Sequence, residues 1–466
     1  MSSEYHNCDI VLINPPHYNF GRVRRIRKTS PPLGIMYIGT FLQSKGYRVR
    51  VIDGMLQPNL LEDTAIAKSS FRVVGITCTT PTVASALLIG RKIKANKPDC
   101  TVVLGGPHPS VCYEELIQSK EVDYVVVGEG EYTFVNICNA VLNNQDIQDW
   151  TGIINKDGYQ GGTCSKYIDD LDKIPFPDRN LIPLMQYELS PINYKRKPST
   201  PMITTRGCPF GCTFCSNPVH GKRVRHHSSN YILEEIKYLI KDFCVRDVMF
   251  WDDTFTLDSA RIEDLCNLML KEKLDISWSC AGRVDRVDGN LLRLMKRAGC
   301  WQISFGVESG SERILKNIRK GITKSQIISA FDLCREIGIE TRAFFILGIP
   351  SETMAESLDT IEFAKKLNPS YAQFSLAVPY PGSQWYDEAI AGGWSPPKWE
   401  YFNTYPQDKP VYVPSGMSEK ELLDLQTLGV KTFYFRPSYI LSRLRHINST
   451  DALIKHVKVA INLLSF

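Results

Sequence analysis

Nowhere does the 466-residue chain approach the run of about eighteen apolar residues that a membrane-spanning helix needs. Met1 to Asp9 is polar and leads at once into a strand-like run, so no secretory leader is expected. Charge of one sign is also scarce. Against 55 Lys and Arg stand 50 Asp and Glu, and the net charge of +5 does not by itself point to nucleic acid. Neither G-x-G-x-x-G nor a P-loop pattern follows the first strand, which argues against a dinucleotide or nucleoside triphosphate. Cysteine, by contrast, is plentiful. Fourteen cysteines in a chain of this size read as thiols and metal ligands rather than a disulfide framework. A cytoplasmic, oxygen-sensitive protein is the expectation.

Three of those cysteines, Cys208, Cys212 and Cys215, sit at the spacing C-x3-C-x2-C on one Gly/Pro-interrupted loop, behind a short strand-like run. Three thiolates on one short loop hold three irons of a [4Fe–4S] cluster and leave the fourth open to a ligand that is not protein. An open iron at low potential suits S-adenosylmethionine, whose sulfonium accepts one electron. The alternative is structural zinc, with His220, His226 or His227 as fourth ligand. Zinc loops more often pair two C-x2-C units, and no second pair lies nearby. With Phe214 just before the last cysteine, the loop resembles the signature of the radical SAM superfamily.

From Cys8 to Asn144 short β-branched runs alternate with amphipathic helices. Strands are expected at Asp9–Asn14, Tyr47–Ile52, Val73–Thr77, Thr101–Leu104 and Tyr124–Val127, with helices such as Pro81–Lys94 and Tyr132–Leu142 between them. Strict alternation reads as an open parallel sheet with helices on both faces, whose ligand lies beyond the carboxyl ends of the strands. The turns there are rich in Gly and Pro, which permits close and stiff approach of backbone to a flat ligand. With P-P-L-G, G-G-P-H-P and V-V-x-G-E-G-E in these turns, residues 8–145 resemble the Rossmann-like, flavodoxin-like domain of cobalamin-dependent radical SAM enzymes. The resemblance implies corrin contacts from Pro32, Leu33, Gly34, Thr79, Thr80, Gly105, Gly106, His108, Gly128, Glu129 and Gly130. One departure matters. D-x-H-x-x-G, which supplies a histidine to cobalt in many cobalamin proteins, is absent, so the lower face of cobalt has no assigned ligand. His17 and His108 read as turn or contact residues. The basic run Arg22, Arg24, Arg25, Arg27 and Lys28 reads as a solvated loop, with a clamp over an anionic group as the sharper alternative.

Residues 146–199 read as a linker; the stretch Ile174-Pro175-Phe176-Pro177-Asp178 resembles the lead into a radical SAM domain. From 200 to 383 the alternation resumes with six βα units, at Met202–Thr205, Val245–Trp251, Ile276–Cys280, Gln302–Gly306, Thr341–Leu347 and Ala372–Val378. Six strands are too few for a closed eight-stranded barrel and match the partial (β/α)6 barrel of the same superfamily. Function in barrels belongs to the carboxyl ends of the strands. There the resemblance implies S-adenosylmethionine contacts from Phe214, Asp252, Asp253, Arg283, Glu308, Ser309 and Gly348, and a substrate-facing role for Tyr380. Residues 384–466 form an aromatic and basic, mainly helical extension. It reads as a cap on the barrel's open side, with a membrane-surface helix as the alternative.

The resemblance implies an enzyme that cleaves S-adenosylmethionine to a 5′-deoxyadenosyl radical and C-methylates an unactivated carbon through methylcobalamin, fed by an external one-electron reductant. Radical ring formation or rearrangement without methyl transfer, on a lipid or tetrapyrrole-like substrate, is the first alternative. A non-catalytic cobalamin sensor with a structural cluster is the second. The substrate class stays open among lipid, peptide side chain and small metabolite, and no nucleic acid is expected.

Overall fold

The computed structural model describes residues 8–17, 29–57, 70–159, 166–402 and 409–445. The basic run at 22–28 and the helical pattern at 452–464 lie outside the described residues.

Five parallel strands build the front sheet: β1 (Ile10–Asn14), β2 (Val49–Asp53), β3 (Val73–Thr77), β4 (Thr101–Gly105) and β5 (Tyr124–Val126), in the order β2-β1-β3-β4-β5. Their near-continuous apolar runs follow from helices on both faces. Val11, Ile13, Val74 and Ile76 pack toward one layer, and Ile10, Leu12, Val73 and Val103 toward the other. Strand order reverses at β1 and β3, so the flavodoxin-like crevice opens beyond Asn14 and Thr77. Pro31 and Pro32 are more than a turn, because helix Leu33–Ser44 begins directly after them. Proline's fixed φ suits a helix start.

The sheet does not stop at residue 145. An antiparallel hairpin, β6 (Ile153–Asn155) and β7 (Gly158–Tyr159), extends it beyond β5, so part of the segment read as linker belongs to the front unit. Its turn is Lys156-Asp157, with Gly158 paired to Asn155 across it, and the run at Ile153 and Ile154 is too short to show period-two alternation.

The second sheet is fully parallel and runs in sequence order: β8 (Ser199–Met202), β11 (Asp247–Phe250), β12 (Ser277–Gly282), β13 (Cys300–Glu308), β14 (Glu340–Leu347) and β15 (Tyr371–Leu376). It is a partial barrel. Along β14 and β15 every second residue is buried against the helices, while Arg342, Phe344, Gln373 and Ser375 face the lumen only partly covered. The first strand ends three residues earlier than its sequence suggests. Thr204 and Thr205 leave the ladder because their N–H groups donate to Asp252 Oδ1 at 2.6 and 2.9 Å. The chain then turns into β9 (Thr205–Arg206), which pairs antiparallel with β10 (Arg225–His226) and brackets the three-cysteine loop.

The edge strand β15 is covered by helix Glu419–Tyr434. Leu422, Leu425, Val430 and Phe433 join the barrel core. Tyr434 Oη accepts from the Ala372 N–H at 3.1 Å and donates to the Ala372 carbonyl at 2.7 Å, and Gln426 donates to the Phe374 carbonyl at 2.9 Å. Backbone groups that an exposed edge would offer to another chain are thereby satisfied. No helix among the described residues is long and apolar enough to cross a membrane.

Candidate functional site

The three-cysteine loop is held at both ends. Gly207 has φ +93°, and a Cβ there would lie 2.2 Å from the Arg223 carbonyl oxygen, so the hairpin closes only on glycine. Cys208 N–H donates to the Gly221 carbonyl at 3.1 Å, and Thr213 N–H to that of Ile318 at 3.0 Å. Beneath the loop the Arg283 guanidinium lies 3.7 Å from the Phe210 ring centre. The thiols share one electrostatic field. Burial pushes the Cys215 thiol up to about 12, with Cys208, Asp253 and Cys212 adding to it, while Lys320 opposes. Burial also raises Cys212, against the pull of Lys320 and Arg283.

Three thiols on one loop suit a [4Fe–4S] cluster with one open iron, and the three nearby histidines each meet a protein partner through Nδ1. His220 Nδ1 meets Glu129 at 3.0 Å. His226 Nδ1 meets the His227 carbonyl at 3.2 Å. His227 meets Asp172 at 3.3 Å and stacks on Tyr231.

Around the loop the structure sorts the expected S-adenosylmethionine contacts into two groups. Asp252 is buried and accepts from the Thr204 hydroxyl as well as from the two backbone N–H groups. Burial raises its pKa even so. Its carboxylate locks the chain entering the cysteine loop. Ser309 is fully buried, facing Thr360 at 3.2 Å and accepting from the Ser311 N–H. It caps a turn behind the barrel, because the strand end at Glu308 (φ +65°) swings the chain outward. Tyr380 donates to the Phe402 carbonyl at 3.0 Å and packs among Val378, Phe402 and Val411, so its hydroxyl anchors the C-terminal segment. Arg283 pairs with Asp285 at 2.9 Å and donates to the Lys320 carbonyl, which fixes it over Phe210.

The others stay at the loop. Asp253 is exposed, accepts from Asn217 at 2.9 Å and lies in the field of Cys215. Glu308 pairs with Lys320 at 2.6 Å, over Gly306, where a Cβ would meet the Glu308 carboxylate at 2.2 Å. Lys320 reaches over the Phe214 ring. Gly348, at φ +74°, closes the end of β14 and donates to Glu352.

At the front sheet's crevice, Gly106 has φ +102°, and a Cβ there would lie 2.9 Å from Thr77 Oγ1, so two turns approach closely only because it is glycine. Gly105 ends β4, Gly128 N–H donates to Ser110 at 3.0 Å, and Thr79 caps the turn that carries Thr80. Pro32, Leu33 and Gly34 start the helix after β1; a Cβ on Gly34 would meet nothing within 4 Å, which leaves open ground above that turn. His108 is buried, with Nδ1 3.2 Å from Thr80 Oγ1, Trp399 edge-on at 5.0 Å and Nε2 without a partner. Burial pushes its pKa down to about 4, so the ring is neutral. Glycine at Gly34, Gly105 and Gly106 keeps side chains off these turns, which permits close approach of backbone to a flat ligand. Glu129 and Glu131 do not face it. Both carboxylates turn toward β9 and β10 and pair with Arg206, Arg225 and His220.

Sequence reasoning missed Arg206, Arg225, Lys320 and Trp399. Only Arg206 carried a signal, standing two residues before Cys208; the others depend on contacts between distant segments.

Two family models match the chain. The Radical SAM superfamily model matches residues 202–364, and the B12 binding domain model matches residues 21–138. A Pyrococcus horikoshii protein named as an uncharacterized methyltransferase is 34% identical over 439 residues, covering 93% of this chain and 94% of that one. The anaerobic magnesium-protoporphyrin IX monomethyl ester cyclase of Rubrivivax gelatinosus is 28% identical over 444 residues, covering 92% and 78%. In fold, the chain resembles the radical S-adenosylmethionine methyltransferase TsrM from Kitasatospora setae, solved with cobalamin and a [4Fe–4S] cluster bound. The TM-score is 0.69 at 18% identity, over 89% of this chain and 80% of that one.

Proposed function

This chain belongs to the cobalamin-binding radical SAM enzymes, and from that premise we propose that it methylates an unactivated carbon of its substrate. Its cofactors are a [4Fe–4S] cluster, S-adenosylmethionine and cobalamin. When bound, they supply a 5′-deoxyadenosyl radical and a transferable methyl group.

The protein's part is to hold, orient and exclude water. In this reading Cys208, Cys212 and Cys215 are the cluster ligands, set by Gly207 below and by Asp252 behind. Asp253 is the exposed carboxylate that faces the methionine ammonium. Glu308 and Lys320 form the polar wall beside Phe214, and Gly348 lies at the adenine edge. Substrate occupies the lumen between Phe344 and Ser375. Pro32, Gly34, Thr79, Thr80, Gly105, Gly106 and His108 border the corrin.

One observation carries the reading. The hairpin that brackets the cysteine loop is bonded directly to the turn after β5 of the front sheet, through Arg206 and Arg225 to Glu129. In this reading the cofactors held by the two units face a common space. The Pyrococcus relative, named as a methyltransferase, supports methyl transfer. A second reading, ring formation without methyl transfer, is favoured by the cyclase relative. Anaerobic turnover with S-adenosylmethionine carrying a labelled methyl group separates the two. Label in the product supports methylation; product formed without label supports ring formation. An external one-electron reductant completes the proposed partners.

A further inference from the structure

The sharpest feature outside the cofactor contacts is a buried charge cluster between the front sheet and the cysteine loop. Glu129 Oε1 lies 2.8 Å from Arg225 Nη1, 3.4 Å from Arg206 Nη1 and 3.0 Å from His220 Nδ1. Glu131 Oε1 lies 2.5 Å from Arg206 Nη2. The side chains of Glu129, Glu131, Arg206 and Arg225 are 1%, 5%, 6% and 4% exposed. Two carboxylates and two guanidiniums balance one another away from water. Burial alone would push the Glu129 carboxyl up, but hydrogen bonds from His220 and Arg225 and the charge of Arg206 hold it well below the usual carboxylate range. Glu129 thus stays an anion.

Apolar side chains of the same volume would join the two units without desolvating four charges. What the ions add is direction, because guanidinium–carboxylate contacts fix angle as well as distance. Arg206 and Arg225 are directly opposed in the β9–β10 ladder, so they share one face of the hairpin. Two like charges there would repel unless an anion lay between them, and Glu129 does. A single residue, Gly207, separates Arg206 from Cys208. The connector joins too: Ile168 N–H donates to Glu129 at 2.8 Å, and its carbonyl accepts from Arg225 at 3.0 Å.

We infer that this cluster sets the distance and orientation between the group on the cysteine loop and the group in the front crevice. Glu129 and Glu131 are positioning residues rather than corrin contacts. The inference rests on the cofactor placement proposed above.

The test uses full-length protein reconstituted anaerobically with iron, sulfide and cobalamin, reduced so that the cluster and cob(II)alamin are both paramagnetic. Pulsed dipolar electron paramagnetic resonance reads the distance between them, beside iron and corrin contents. Wild type gives one narrow distance distribution. Glu129→Gln keeps iron and corrin at wild-type levels but broadens and shifts that distribution. Glu131→Gln, which disturbs only the Arg206 contact, broadens it less; it also serves if Glu129→Gln does not fold. An unchanged distribution in a loaded variant overturns the inference. So does loss of corrin alone from folded Glu129→Gln, which would return Glu129 to the cofactor's contacts. Wild type that takes up no corrin would remove the preceding reading, and this inference with it.

Discussion

Replacing Asp252 tests whether a carboxylate at the end of β11 serves the ligand or the loop. In Asp252→Ala two backbone N–H groups and the Thr204 hydroxyl lose their acceptor, and Arg261, which donates to Thr204 Oγ1 at 3.0 Å, loses its buried counter-charge. Three buried donors left without an acceptor, each toward the lower end of about 1–3 kcal/mol, cost about 3–5 kcal/mol together. For a unit of this size that corresponds to a fall in Tm of roughly 6–20 °C. Asp252→Asn behaves differently. The amide oxygen still accepts from Thr204 and Thr205, and the amide nitrogen can donate to the threonine oxygen, so the loop survives with a smaller loss of about 1–2 kcal/mol. Thermal unfolding of the apo protein, iron and sulfide analysis after reconstitution, and equilibrium dialysis with labelled S-adenosylmethionine read the outcome. The expected order is wild type, then Asn, then Ala, for both Tm and iron content. If Asp252→Ala loads iron at the wild-type level and loses only S-adenosylmethionine affinity, the carboxylate is a ligand and the reasoning fails.

Gly207→Ala places a Cβ 2.2 Å from the Arg223 carbonyl at φ +93°, a steric cost beyond the ~1–2 kcal/mol of the left-handed region alone, and should lower iron content sharply. Tyr434→Phe leaves the N–H and carbonyl of Ala372 without their side-chain partner, costing about 1–3 kcal/mol, and lowers Tm while iron and corrin contents stay unchanged. Burial pushes Glu352 up to about 7 in the folded protein, above its unfolded value. Its contribution is therefore fully present below the unfolded pKa and lost as pH rises through about 7. Glu352→Gln keeps the acceptor used by Gly348, Ile349 and Ser357, so its Tm relative to wild type should rise between pH 5 and pH 8. A Tm difference that is flat with pH would contradict this.

The order of elements was legible because the periodicities are strong. Val73–Thr77 and Met354–Leu367 stand where their apolar patterns put them. The cysteine loop stands out in the sequence by its spacing and by Phe214 before the last cysteine. What sequence could not separate is a carboxylate that binds ligand from one that binds its own backbone. Asp252 and Asp253 are neighbours in one motif, yet Asp252 is buried against Thr204 and Asp253 is exposed beside Cys215. Likewise the acidic turn Gly128–Glu131 suited a ligand, and only the fold shows its carboxylates facing Arg206 and Arg225. Such pairings join residues about 75–96 positions apart, and no local pattern encodes them.

The most direct test of the central claim is anaerobic incubation of the full-length, reconstituted protein with S-adenosylmethionine and a one-electron reductant, followed by quantitation of 5′-deoxyadenosine and bound corrin. The account predicts a tightly held corrin in near-equimolar amount, with 5′-deoxyadenosine formed by wild type and absent in Cys208→Ala. Deoxyadenosine formed at the same rate by Cys208→Ala, or a protein that carries zinc at this loop and no corrin, would contradict it.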